Sequence, residues 1–387
     1  MNDSVSVSGL STVSGILDIN NKGFGFLRQK NGYYVENQED PYVSPDLIRK
    51  FGLKAGLFLE GEDGQGRAGK PALKTILRAN GKPVDEWRQM QAFHTLTTIS
   101  PDQRLRLETK GGPLSTRIID LLCPIGKGSR SLIVAPPKTG KTTILKDLAQ
   151  AVTKNHPEIK LYALLIDERP EEVTDMQRSI QGEVLASSMD MTIGNHVRLT
   201  RLASEMVKRK VEAGEDVLLI LDSITRVSRA FNNYDGNSGR TLSGGLDSRA
   251  MEFPRSFFGS ARKIESGGSL TIVATALIDT GSRMDELIFQ EFQGTGNQEI
   301  VLNRRAADKR IWPAIDIIKS RTRKDELLLS ENELEGATRI RRGLSGLNLE
   351  NTMERLLETI QKYETNEDFI KVLLSTKMPR AESFRDD

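Results

Sequence analysis

The sequence predicts a parallel α/β core preceded by a small β-barrel of the OB or cold-shock type. Three observations carry that expectation. Five short strand-like stretches, punctuated by Asn, Gly and Pro turns, fall within residues 11–77. Beyond residue 116, near-continuous apolar runs alternate with stretches of helical periodicity, as in a parallel sheet covered on both faces. One such run, Leu132-Ile133-Val134-Ala135, leads through Pro136-Pro137-Lys138-Thr139-Gly140-Lys141-Thr142-Thr143 into a helix.

Taken in order, residues 1–10 are polar and Ser-rich and read as a disordered tail. A roughly alternating strand over 12–19 runs into the turn Asn20-Asn21-Lys22-Gly23. Strands follow over 24–28 and 41–44, then a short helix over 45–51 opened by Ser44 and Pro45. Two more strands, over 55–61 and 72–77, complete the barrel. Phe24, Phe26 and Arg28 share one strand face. If that face is exposed, it is a stacking platform for bases with a cation for phosphate. A buried face of a half-apolar strand predicts the same spacing, so both readings stay open. Gly25 between the rings points to a close backbone approach.

Residues 78–116 are mixed and polar and read as a linker with a helix over 85–93. The core then spans 117–377. Its strands are expected over 130–134, 161–166, 217–221 and 269–277, and its helices over 171–180 and 197–213. Ile144, Leu145, Leu148, Ala151 and Val152 mark one face of the helix after the loop. The stretch 348–376 is helical in pattern, and residues 378–387 read as a tail.

Composition narrows the classes. With 387 residues, 37% hydrophobic and 28% charged, the chain has room for two or three globular domains. A net charge of +2 neither demands nor excludes nucleic acid, so any basic surface is local. A single cysteine, Cys123, rules out an intramolecular disulfide and sits in an apolar run, where a buried thiol is expected. No apolar run has the length of a membrane span and the first residues are no signal peptide, so a cytoplasmic protein is expected.

The chemistry gathers at the ends of the predicted strands, where ligands of parallel sheets bind. A strand, a tight loop and a helix start collect unpaired backbone N–H groups at one point, an anion site for the phosphates of a nucleotide. Residues Pro137, Lys138, Thr139, Gly140, Lys141, Thr142 and Thr143 form it. Lys141 supplies a positive charge for the outer phosphates and Thr142 a hydroxyl for Mg²⁺. The usual pattern opens with Gly, and Ala135 stands there instead. Asp222, after the strand 217–221, is a second Mg²⁺ ligand candidate. Asp167 and Glu168 end the neighbouring strand, and either carboxylate would polarise an attacking water. Alternation sends them to opposite faces, and spacing does not choose between them.

The stretch 228–247 is long, glycine-rich and polar, and carries Arg240 and Ser243. A second loop over 279–284 carries Arg283. Two loops each offering an arginine suit a phosphate backbone better than base edges. Trp312 fits an adenine contact and a core position equally well. The basic run 319–324 holds more cations than one site needs, and one of its arginines reaching a neighbour's γ-phosphate implies a ring of subunits.

These motifs, in this order and spacing, resemble the bacterial transcription termination factor Rho family over about residues 15–369. The resemblance is carried by Gly23-Phe24-Gly25-Phe26-Leu27-Arg28, Tyr42-Val43-Ser44-Pro45, Pro124-Ile125-Gly126-Lys127-Gly128, Val134-Ala135-Pro136-Pro137-Lys138, Leu165-Ile166-Asp167-Glu168-Arg169-Pro170-Glu171-Glu172-Val173-Thr174, Leu221-Asp222-Ser223-Ile224-Thr225-Arg226 and Thr275-Ala276-Leu277-Ile278-Asp279-Thr280-Gly281-Ser282. It implies a RecA-like P-loop ATPase core behind an RNA-binding barrel, using ATP and Mg²⁺. The implied assembly is a homohexamer that pulls single-stranded nascent RNA and works with RNA polymerase and elongation factors. It implies that Ala135 is the family's own form of the loop, and that Lys138 joins Lys141 at the phosphates. Glu168 would be the catalytic carboxylate, Arg323 a finger acting on the adjacent subunit, Arg310 a second cation near the γ-phosphate, and Trp312 the adenine contact. Phe24, Phe26, Arg28 and Tyr42 would form the primary RNA site, and Arg240, Ser243 and Arg283 would line the central channel. The sequence departs from the family in lacking a counterpart of a small helical domain before the barrel. It also lacks a Tyr in Gly69-Lys70-Pro71-Ala72, and has Arg283 and Trp312 where Lys and Phe are usual.

Overall fold

A computed structural model describes residues 12–30, 33–66, 69–235, 245–344 and 349–375. The first unit is built from β1 (Thr12–Ile19), β2 (Gly25–Arg28), β3 (Tyr42–Val43), α1 (Pro45–Phe51), β4 (Phe58–Gln65), β5 (Pro71–Ala79), β6 (Lys82–Pro83) and α2 (Val84–Arg88). The strands run in the order β3-β2-β1-β4-β5-β6, and pairing of Tyr42 with Ala72 joins β3 to β5 and closes the barrel. Local chemistry explains the corners. The β1–β2 turn needs Gly23 at φ 81°, and the Ser44 hydroxyl accepts from the Leu47 N–H while Pro45 opens α1. The segment read as linker contributes to this unit: Val84 and Trp87 of α2 are buried in the barrel core with Leu17, Leu27, Leu57 and Leu59. The expected helix over 85–93 is therefore shorter and starts one residue earlier, because α2 is drawn in by its two apolar residues.

The core contains β7 (Thr98–Ile99), α3 (Leu114–Leu122), β8 (Arg130–Ala135), α4 (Lys141–Asn155), β9 (Lys160–Glu168), α5 (Pro170–Ser179), β10 (Glu183–Ser188), α6 (Ile193–Glu212), β11 (Asp216–Asp222) and α7 (Ile224–Asp235). It continues with α8 (Glu252–Gly259), β12 (Arg262–Ile264), β13 (Ser269–Leu277), α9 (Arg283–Phe292), β14 (Gln298–Val301), α10 (Arg304–Asp308), β15 (Arg321–Thr322), α11 (Glu331–Leu344), α12 (Leu349–Ile360) and α13 (Asn366–Ser375). The sheet order is β10-β9-β11-β13-β8-β14-β15, with β12 on β13 and β7 on β12. The six strands from β10 to β14 are parallel, and β15 pairs antiparallel at the edge.

Strand alternation divides the core in two. Ala163 and Leu165 of β9 face α3, α4 and the C-terminal helices, whereas Leu164 and Ile166 face α6 to α9. All five residues of the expected α4 face are buried against the sheet, and Ile144, Leu145, Leu148 and Val152 each contribute about 1.5–3 kcal/mol by leaving water. Cys123 is fully buried, and burial pushes its thiol up to about 12. The first half of the glycine-rich stretch is helical rather than a loop, because Val227, Ala230 and Phe231 of α7 are buried in the core.

The barrel is set on α6. A side chain at Gly56, at φ 85°, would lie 2.4 Å from the α6 backbone at Met206, so only glycine allows that approach. Around it, Lys54 pairs with Glu212 at 3.4 Å, and Arg198 donates to the Tyr34 carbonyl at 2.7 Å. Among the described residues no helix is long and apolar enough to cross a membrane.

Candidate active site and nucleic-acid interface

The phosphate loop lies where the sheet would present it, at the carboxyl end of β8. Ala135 is the last residue of that strand, and its backbone is not among the positive-φ positions, so a Cβ is tolerated there. Lys138 (φ 63°) and Gly140 (φ 81°) turn the chain into α4. The Thr139 hydroxyl donates to the Pro136 carbonyl at 2.7 Å and holds the loop from inside, while Lys138 and Thr143 are exposed. A Cβ on Gly140 would sit 2.9 Å from the Trp312 ring. Trp312 is 43% exposed on the phosphate loop, which removes the core reading. Arg304 fixes the loop from the same side by donating to the Pro137 carbonyl at 3.1 Å, and Arg310 is exposed two residues before Trp312.

Three strand ends converge on Lys141. Its Nζ is 2.5 Å from Asp222 Oδ1 and 3.5 Å from Glu168 Oε1. Both carboxylates are almost wholly buried, at 2% and 3% exposure. Burial lowers the Lys141 pKa, but the charges of Asp222 and Glu168 outweigh it and raise it above the ordinary lysine value. Burial first, and the Asp222 charge second, raise Glu168 to about 7. Of the pair left open by spacing, Glu168 turns inward to Lys141. Asp167, at φ 57°, is the more exposed of the two and pairs with Arg226.

Arg226 and Thr275 belong to this site and were not singled out from the sequence. Arg226 donates to Asp167 Oδ2 at 3.0 Å, and its Nε lies 3.1 Å from Glu168 Oε1, so one guanidinium spans both carboxylates. The Thr275 hydroxyl, on β13, donates to Asp222 Oδ1 at 2.7 Å. The available signal for Arg226 was its place in the first turn of α7, the helix that follows β11. Thr275 lies inside an apolar strand, and its only signal was its place at the head of the motif over 275–282.

Mg²⁺ fits the donors present. The Thr142 hydroxyl in the first turn of α4, after β8, and the Asp222 carboxylate at the end of β11 are hard oxygen ligands at the carboxyl end of the sheet. Among the described residues no group of three or more His, Cys, Asp or Glu would hold a metal by itself.

On the barrel, Phe24, Phe26 and Tyr42 form a half-buried triangle with ring centroids 5.6–5.9 Å apart. They line a groove of about 1640 Å³ between the barrel and α6. The rings are thus presented to a groove rather than enclosed in the core. Arg28 is on the same face, its guanidinium 5.0 Å from the Phe26 ring centre. It is only 6% exposed and pairs with Asp18, Glu36 and Asp40 at 2.9, 3.0 and 2.8 Å, so it braces the platform as well as lining it. Gly25 makes its close approach to β1, where a Cβ would lie 2.8 Å from the Asp18 carbonyl.

Comparison with known proteins follows this division. The family model described as "Rho termination factor, RNA-binding domain" matches residues 13–85, and that of the "ATP synthase alpha/beta family, nucleotide-binding domain" matches residues 115–322. Transcription termination factor Rho of Cereibacter sphaeroides is 48% identical over 360 residues, covering 92% of this chain and 85% of that protein. The chain belongs to the Rho family. Rho of Haemophilus influenzae is 46% identical, covering 93% of this chain and 87% of that protein. The assembled ATPase EscN of the enteropathogenic E. coli type III secretion system superposes with a TM-score of 0.59 at 18% identity, over 95% of this chain and 97% of that one. That likeness is one of fold alone.

In this Rho family chain, Arg240 and Ser243 lie outside the described residues. The second loop is braced: Asp285 takes a bidentate pair from Arg229 and a hydrogen bond from Thr280 at 2.6 Å, leaving Arg283 exposed at the start of α9. A Cβ on Gly245, where the first loop rejoins the core, would be 3.7 Å from Met284, so the two loops meet at their roots. Arg323 is remote from the phosphate loop of its own chain. It donates to the Gly294 carbonyl at 3.0 Å, and its N–H donates to Asn297, which bonds the Arg130 carbonyl at the amino end of β8. The phosphate loop begins at the other end of that strand, about 17 Å away at some 3.3 Å per residue.

Proposed function

We infer that this chain is an RNA-dependent ATPase that terminates transcription by drawing nascent RNA through a hexameric ring. The observation that carries the reading is the union, on one chain, of the Lys141–Asp222–Glu168 centre with an aromatic platform facing a groove. ATP enters at the phosphate loop, with Lys141 and Lys138 on its phosphates and Trp312 against the adenine. Thr142 and Asp222 would hold Mg²⁺, which supplies charge to the phosphate oxygens when bound. Glu168 accepts a proton from the attacking water, and Arg226 keeps its carboxylate aimed. Arg323, at the opposite end of the strands from the phosphate loop, acts on the site of the next subunit, with Arg310 completing the cation set from within. A heterologous contact of this kind closes into a ring. RNA is taken first by Phe24, Phe26, Tyr42 and Arg28, and then by the loops carrying Arg240, Ser243 and Arg283. RNA polymerase and elongation factors are the partners this activity requires, in the compartment where transcripts are made.

Phe26→Ala tests the platform. Removing one stacked ring is expected to weaken single-stranded RNA binding about tenfold, within the usual 1–3 kcal/mol per base. ATP affinity should be unchanged. Fluorescence anisotropy with a labelled oligocytidine reads the first, and nucleotide titration the second. A variant that unfolds, or that binds RNA normally, would remove Phe26 from the platform.

A further inference from the structure

The aromatic triangle lines only the barrel side of its groove. The other side comes from the core: Gly194, Arg198, Arg201 and Glu205 of α6, and Tyr234 of α7. We propose that Arg201 and Tyr234 form a second wall of the RNA site, taking the nucleotide next to those stacked on Phe24, Phe26 and Tyr42. The proposal rests on the reading of that triangle as an RNA platform.

Size is the first argument. A groove of about 1640 Å³ exceeds the roughly 300–1,000 Å³ that encloses one small ligand, so a strand of more than one nucleotide has room. Second, Tyr234 is the fourth aromatic residue of the lining and is 56% exposed. Its ring rests above Gly194, where a Cβ would lie 3.7 Å away, and much of it remains available for a base to stack on. On the barrel side Gly66 and Ala72 line the groove without adding a ring.

Charge is the third argument. Arg201 is exposed, with its guanidinium 5.4 and 5.8 Å from the ring centres of Phe231 and Phe253. Those rings are themselves stacked at 4.7 Å. A guanidinium ordered in this way loses little freedom on meeting a phosphate. The carboxylates of the lining are each matched by a protein cation. Asp18 pairs with Arg28 and Arg198, Glu36 and Asp40 pair with Arg28, and Glu205 pairs with Lys208 at 2.9 Å and Arg209 at 3.5 Å. A phosphate in the groove therefore meets no bare carboxylate among these residues, and Lys70 adds an exposed cation on the barrel side.

The test uses the full chain and labelled oligocytidines, a dinucleotide and an octanucleotide, read by fluorescence anisotropy. Tyr234→Ala and Arg201→Ala should each weaken the octanucleotide about tenfold and leave the dinucleotide unchanged. Tyr234→Phe, which keeps the ring, should bind as the parent does. Phe26→Ala should weaken both lengths. If Phe26→Ala weakens both while neither wall variant changes the octanucleotide, the wall is overturned and the platform stands. If Phe26→Ala changes neither length, the platform reading fails, and the wall as the neighbour of a stacked base is overturned with it. A loss in Tyr234→Phe equal to that in Tyr234→Ala overturns the stacking role.

Discussion

Glu168→Gln is expected to lower ATP turnover about 10³-fold, with ATP affinity close to that of the parent, because the amide keeps the shape of the side chain but takes no proton from water. The structure explains why this carboxylate suits the task. It is buried beside Asp222, which raises it to about 7, and it is held by Lys141 and Arg226. The sign of the pH dependence follows. Below about 7 the group carries its proton and cannot accept another, so kcat/KM for ATP rises with pH through that value and levels above it. Single-turnover hydrolysis across neutral pH, in the parent and in Glu168→Gln, measures both. Turnover retained in the variant would transfer the role to the half-buried Asp167, which shares Arg226 with Glu168.

Arg323→Ala is expected to reduce turnover by about 10³-fold or more, the loss usual for a finger that stabilises charge on a transferring phosphoryl group. Because Arg323 stands at the amino end of β14 and the phosphate loop at the carboxyl end of β8, the loss should be repairable between subunits. Rings mixed from Arg323→Ala and Glu168→Gln chains contain interfaces with an intact site on one side and an intact arginine on the other, about one in four at equal proportions. ATP turnover of the mixture should therefore exceed that of either variant alone. No recovery on mixing would place the action of Arg323 within its own chain.

The sequence made the architecture and the phosphate site readable for a physical reason. Fully buried parallel strands are apolar throughout, so β8, β9, β11 and β13 stood out within a residue or two. The loop before α4 was legible because anion binding needs a fixed order of residue types. Short elements were not. β10, at the sheet edge, and β14, at four residues, lack a run long enough to mark a strand. The α2 segment read as linker because only Val84 and Trp87 are buried, and their burial depends on the barrel already being closed. Site residues that act by pairing were hidden for a similar reason. Arg226 is meaningful only beside Asp167 and Glu168, and the different surroundings of those two carboxylates go with the turn at Asp167, with its φ of 57°. Arg28 shows the limit in the other direction. Its face was predicted, but its three acidic partners are Asp18 on β1 and Glu36 and Asp40 in the segment between β2 and β3.

The account stands on a link between the barrel and the motor, and steady-state ATP hydrolysis with and without single-stranded RNA tests it most directly. Oligopyrimidine RNA is expected to stimulate turnover strongly, a DNA control of the same sequence much less, and Phe26→Ala should need more RNA for the same rate. Equal turnover with and without RNA would contradict the account. It would leave the shared fold with the secretion-type ATPases as the better guide to what the core does.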